Sequence, residues 1–192
     1  MGQRLNLEIA ENGKTLANAY YHWSGYTTSS LEVTQFILDN IDNISYENRV
    51  INAVKLLETT GAGLTDEEME YIKKNIPEAE EIPFDKAVSR NAGLTAVSEK
   101  GIEETRNWEE ARVTVDLAAK TVNFQALFKY DSKEEYEEVC ESTCKYPVHE
   151  KIDFSNIPFN KFHEVSEFII GLVKKGIYGF QTPEGEIWGF IE

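Results

Sequence analysis

Cysteine is scarce in this sequence: Cys140 and Cys144 are its only two, in a chain of 192 residues. A chain of that length buries an adequate core without covalent staples, so the pair is read as free thiols rather than as a disulfide framework. No N-terminal stretch joins a basic end to an apolar centre and a small-residue cleavage site, and the expected setting is the reducing cytoplasm. Met1-Gly2 lacks the rest of a myristoylation signal, because Asn6 stands where Ser or Thr is required. Long apolar runs are missing too, which excludes a membrane-crossing helix of about 20 apolar residues. Positive charge is in deficit: 19 Lys and Arg stand against 34 Asp and Glu, a formal net charge of -15. That surplus repels a phosphate backbone and excludes unaided binding of DNA or RNA.

What remains, 41% hydrophobic and 28% charged residues, is the composition of an ordinary globular domain. One domain over residues 1–192 is expected, with a candidate boundary in 77–93, where Pro77 and Pro83 interrupt any period. The strongest local signal is Asn12-Gly13 between two strand-forming runs, a dipeptide suited to the positive φ angles of a tight hairpin. With those two residues as the loop, Leu5, Leu7 and Ile9 are expected to share a face with Leu16, Asn18, Tyr20 and His22.

Further on, Ser29 with Glu32 has capping-box spacing ahead of a helix carrying Val33, Phe36, Ile37, Ile41 and Ile44. Ser45 is expected to cap a second helix with Val50, Ile51, Val54 and Leu57 inward, stopped at Gly61. Thr65 and Glu68 make another capping box for an acidic helix that Pro77 ends. Leu94 to Val97 reads as a short strand and Ser98 to Trp108 as a turn or brief helix. Ala111 to Leu117 and Thr121 to Phe128 read as a second hairpin. Ser132 and Glu135 start an acidic helix, Lys151 to Phe154 reads as a strand, and Pro158 opens a helix with Phe159, Phe162, Val165, Ile169 and Val173 inward. Ile177 to Thr182 and Glu186 to Ile191 close the chain as a third hairpin. The expected class is α+β, antiparallel β-hairpins packed with amphipathic helices.

Reactive side chains are few. His22, beside Ser24, is the natural general base, yet no Gly-x-Ser-x-Gly elbow presents a nucleophile, which favours a structural histidine in an aromatic cluster over a small enzyme centred on His22. Cys140, Cys144, His149 and His163 carry atoms that suit zinc, but the fourth ligand lies far along the chain, and two ordinary thiols on a helix are the preferred reading over a zinc-stapled module. His163 and Glu167 lack the second histidine of a zinc-protease helix, and Gly61-Ala62-Gly63 lacks the lysine of a phosphate loop. No cofactor, no metal and no catalytic residue are assigned.

Carboxylates cluster at Asp66-Glu67-Glu68 with Glu70, at Glu78 with Glu80-Glu81, at Glu103-Glu104, at Glu109-Glu110, and at Glu134, Glu135, Glu137 and Glu138. Such runs are usually solvated faces; gathered on one surface, they offer charges that a basic nucleic-acid-binding protein accepts in place of phosphates. Tyr20, Tyr21, Trp23 and Trp108, with Glu134, Glu135, Glu137 and Glu138, are the candidate contacts to a protein partner. The segments MGQRLNLEI, NGK and AYYHW, with Arg90-Asn91-Ala92-Gly93-Leu94 and the run Glu103 to Glu110, resemble uncharacterised small proteins of phages and other mobile elements of Gram-positive bacteria over about the N-terminal two-thirds. The resemblance implies a binding inhibitor of a host defence nuclease, such as an anti-CRISPR protein, rather than an enzyme.

Overall fold

The computed structural model describes residues 3–87, 93–125, 134, 138 and 154–175, and the backbone of 179–182 and 185–188. It is a mixed α+β fold. Among the described residues, five α-helices surround a seven-stranded sheet of order β3-β4-β2-β1-β5-β6-β7. The strands are β1 Leu5–Glu11, β2 Lys14–Tyr21, β3 Gly63–Leu64, β4 Leu94–Ala96, β5 Ala111–Asp116, β6 Thr121–Gln125 and β7 Ile157–Pro158. The helices are α1 Thr27–Asp39, α2 Arg49–Glu58, α3 Asp66–Asn75, α4 Glu99–Arg106 and α5 Phe159–Val173. The pairs β1–β5 and β3–β4 are parallel and the others antiparallel. A separate two-stranded ribbon pairs β8 Gly179–Thr182 with β9 Gly185–Trp188. Among the described residues no helix is long and apolar enough to cross a membrane.

The central hairpin turns at Asn12 and Gly13, with φ of 51° and 77°, the conformation that makes this dipeptide favourable there. The pairing then slips: Ala10 faces Thr15 but Ile9 faces Ala17, so Leu16 is the extra residue of a β-bulge. A one-residue slip reverses every face beyond it. Leu5, Leu7 and Ile9 therefore share their face with Ala17, Ala19 and Tyr21, not with Leu16, Asn18, Tyr20 and His22. Asn6 and Glu8 share the other face with Asn18 and Tyr20.

The apolar face continues through Val113 and Val115 of β5 and Val122 and Phe124 of β6, all buried, and packs against α1, α2 and α5. Helix α1 starts after Tyr26, two residues before the Ser29 expected to cap it, and Phe36 is 43% exposed. Its buried stripe is Thr27, Ser30, Leu31, Thr34 and Ile37. The Ser30 hydroxyl donates to the Tyr26 and Thr27 carbonyls and the Thr34 hydroxyl to the Ser30 carbonyl, so buried hydroxyls are satisfied within the helix itself. Asn48, in the left-handed region at φ 55°, precedes α2 in place of the expected Ser45. Across 77–87, Ala79 is buried and Lys86 bridges Leu64, while β3 and β4 on either side of the stretch are neighbours in one sheet.

Tyr21 lies on the apolar face, and its hydroxyl shares a hydrogen bond with that of Thr60. Burial pushes its phenol well above the ordinary value. The neutral form is favoured in the folded state, so the associated stability is present below the unfolded value of about 10 and is lost as pH rises beyond it. Tyr21→Phe is expected to cost about 1 kcal/mol at neutral pH. It should also make urea-measured stability fall less steeply above about pH 10 than in the wild type, by up to about 1.4 kcal/mol per pH unit. Equal slopes in the two proteins would contradict the assignment.

Candidate functional site

Helix α3 opens at Thr65, whose hydroxyl accepts the Glu68 N–H at 3.3 Å, and Asp66, Glu67 and Glu68 complement the helix dipole in its first turn. The second half of the expected capping box is not made. Instead the buried Glu68 carboxylate crosses to the start of α4, where its Oε2 accepts the backbone N–H of Val97 at 2.8 Å and of Ser98 at 2.9 Å. The Ser98 hydroxyl donates to Glu68 Oε1 and accepts the Gly101 N–H at 3.1 Å as the cap of α4. Glycine is required at 101 by space: a Cβ there would collide with Glu68 Oε1.

Helix α4 roofs the polar face of the sheet. Asn18 Nδ2 donates to Asn6 Oδ1 at 3.1 Å and to Thr105 Oγ1 at 2.7 Å, and Asn6 Nδ2 donates to the Thr105 carbonyl at 3.1 Å and to Glu109 at 2.9 Å. Glu8, 3% exposed, accepts Arg106 Nε at 2.6 Å and holds Arg112 Nε at 3.8 Å. That bond raises the Arg106 guanidinium above its ordinary value. Arg112 also pairs with Glu109, and Arg4 with Glu110 at 3.1 Å. Burial alone would raise the Glu110 carboxyl, but the hydrogen bonds and charge of Arg4 hold it below the usual carboxylate range. The arginines near α4 are thus engaged by the carboxylates of this layer.

Between α3 and α4 lies a cleft of about 860 Å³. Leu64, Leu94, Thr95 and Ala96, all buried, form its floor. The exposed Asp66, Glu67, Glu99 and Glu104 stand at its rim, with Tyr71 and Trp108 as aromatic walls. Two lysines balance part of this charge: Lys86 Nζ is 2.7 Å from Asp66, and Lys100 Nζ is 3.4 Å from Glu67. At the Trp108 end, Tyr20 meets the indole edge-on at 5.5 Å, its hydroxyl hydrogen-bonds His22 Nδ1 at 2.9 Å, and His22 meets Trp23 edge-on at 4.7 Å.

The sequence-derived contacts therefore separate. Tyr20, Trp23 and Trp108 are brought into one chain of rings, Tyr20 as its buried support and Trp23 as its 52% exposed end. Tyr21 does not join them: the bulge turns it to the opposite face, where it is buried against Thr60. Glu134 and Glu138 are exposed, whereas Glu135 and Glu137, like Cys140, Cys144 and His149, lie outside the described residues. His163 and Glu167 are exposed on α5, and among the described residues no group of three or more His, Cys, Asp or Glu is arranged to hold a metal. No hydrogen bond joins Ser24 to His22, whose described polar partner is a phenol. The chain matches no protein-family model, no curated protein and no solved structure.

Chemically, the cleft suits a cation with an aliphatic stem: carboxylates at the rim, apolar and aromatic walls below. It is poorly suited to an anion, since the carboxylates that line it outnumber the lysines. The Leu-Asn-Leu-Glu-Ile alternation of β1 announces a polar face, but not that a helix covers it.

Glu68→Ala is expected to lower unfolding free energy by about 2–4 kcal/mol, since it strands the backbone donors of Val97 and Ser98 just ahead of α4. Gly101→Ala should cost about 1–3 kcal/mol in the wild type by overpacking, and much less, or even gain stability, in the Glu68→Ala background, where the colliding atom is gone. Additive effects in urea titrations would contradict this coupling.

Proposed function

We propose that this protein is a non-enzymatic, acidic protein-binding module, an inhibitor or adaptor that seats a basic segment of a nucleic-acid-binding protein in the cleft between α3 and α4. The scaffold is read as antiparallel hairpins backed by amphipathic helices, acting in the cytoplasm. The observation that carries the reading is the cleft's charge: five lining carboxylates against two lysine ammonium groups, over an apolar floor.

A surface that binds phosphate is cationic by necessity, and carboxylates fixed on rigid helix ends present the complementary field to it. A host defence nuclease, including a CRISPR effector, is the partner that the resemblance to phage-borne proteins suggests, with inhibition by nucleic-acid mimicry. Trp108 and Trp23 extend the contact beyond the charges, as aromatic anchors do at protein interfaces. Glu134 and Glu138 belong to a second acidic stretch that such a partner would also meet.

The test is a pull-down of a basic nuclease by the intact protein at about 0.01 M salt, where the Debye length is about 30 Å, and again at about 0.15 M, where it is about 8 Å. Binding should weaken with salt, and Glu99→Lys with Glu104→Lys should weaken it at least about tenfold at low salt. Failure to capture any such nuclease at low salt, or capture indifferent to the reversal, would sink the proposal.

A further inference from the structure

The cleft already contains cations, and they belong to the chain itself. Lys86 pairs with Asp66 and Lys100 with Glu67, so two consecutive carboxylates at the head of α3 each hold an ammonium group from a different element. We infer that Lys86 and Lys100 are stand-ins for two cationic side chains of the partner, and that binding proceeds by exchange of these internal ion pairs. The inference rests on the reading of the cleft as a seat for a basic segment and specifies how that seat is filled.

The backbone carrying each lysine is held independently of its ion pair. Lys86 sits in a strap beside β3, fixed by Leu64 N–H to the Asp85 carbonyl at 3.0 Å and Ala87 N–H to the Leu64 carbonyl at 3.0 Å. Lys100 is in the first turn of α4, which Ser98 and Glu68 secure. Both lysines and both acceptors are exposed, so releasing either pair demands no movement of the fold and forfeits only a weak, solvent-screened contact. An ammonium or guanidinium from outside then meets Asp66 and Glu67 freed from their lysines. Glu99 and Glu104, which make no ion pair among the described residues, stand beside them on the same rim. The paired lysines lower the affinity for isolated cations and so favour a segment that presents two at once.

The test uses the full-length protein and a synthetic oligolysine peptide, titrated by calorimetry at low salt. Lys86→Ala with Lys100→Ala is compared with Lys73→Ala with Lys74→Ala, a pair of exposed lysines in the last turn of α3 that gives the same change in net charge. Removing the cleft lysines should tighten binding about two- to thirtyfold, the factor that two exposed ion pairs carry, and should do so well beyond the control pair. Equal tightening in the two variants, or weaker binding without Lys86 and Lys100, overturns the exchange while leaving the cleft as a basic-segment site. No binding of oligolysine by the wild type at low salt overturns the exchange and that reading together. A thermal melt of each variant establishes that the fold is retained.

Discussion

The bulge at Leu16 sets the arrangement of everything around the central hairpin. Without the extra residue, Asn6 and Glu8 would share a face with Ala17 and Ala19, and Leu5, Leu7 and Ile9 with Asn18 and Tyr20. Each face would then mix apolar with amide or carboxylate side chains. With it, one face is wholly apolar through Leu5, Leu7, Ile9, Ala17 and Ala19, and takes up three helices. The other gathers Asn6, Glu8 and Asn18 into a layer that must be hydrogen-bonded to be buried. Helix α4 meets most of that demand through Thr105 and Arg106, the turn after it through Glu109 and β5 through Arg112, while the buried Asn18 Oδ1 is left without a partner among the described residues.

Because α4 is committed to that layer, its first turn projects toward α3, and Glu68 closes the gap by accepting the Val97 and Ser98 N–H groups just ahead of α4. The cleft is what remains between the two helices above this junction. Its sign follows from the same economy of charge. The described arginines near α4 are neutralised by Glu8, Glu109 and Glu110, while the carboxylates at the rim have only two exposed lysines beside them.

Signals confined to a few neighbouring residues were legible in the sequence. Asn12-Gly13 predicted its turn from φ preference alone, and Thr65 its cap from a hydroxyl three residues before an N–H that needs it. Pairings that depend on distant residues were not legible. The bulge is a register choice made by the whole sheet, so counting outward from the turn assigned Asn18 and Tyr20 to the wrong face. The inward stripe of α1 was read at Ile37 but missed at Ser30 and Thr34, which look polar although their hydroxyls are spent on the helix's own carbonyls. Glu68 looked like a partner for Thr65, and only the approach of α4 gives it a better one. Clustering of carboxylates was foreseen as a possibility of composition, but the particular cluster at α3 and α4 depends on tertiary packing.

The measurement that bears most directly on the account is a nuclear magnetic resonance titration of the labelled protein with an oligolysine peptide at low salt. Shifts are expected to gather on the first turns of α3 and α4 and on the Trp108 indole N–H, with the exposed Phe36 and Phe168 on the helical side unaffected. Shifts scattered over all acidic surfaces, or centred on α1 and α5, would contradict it.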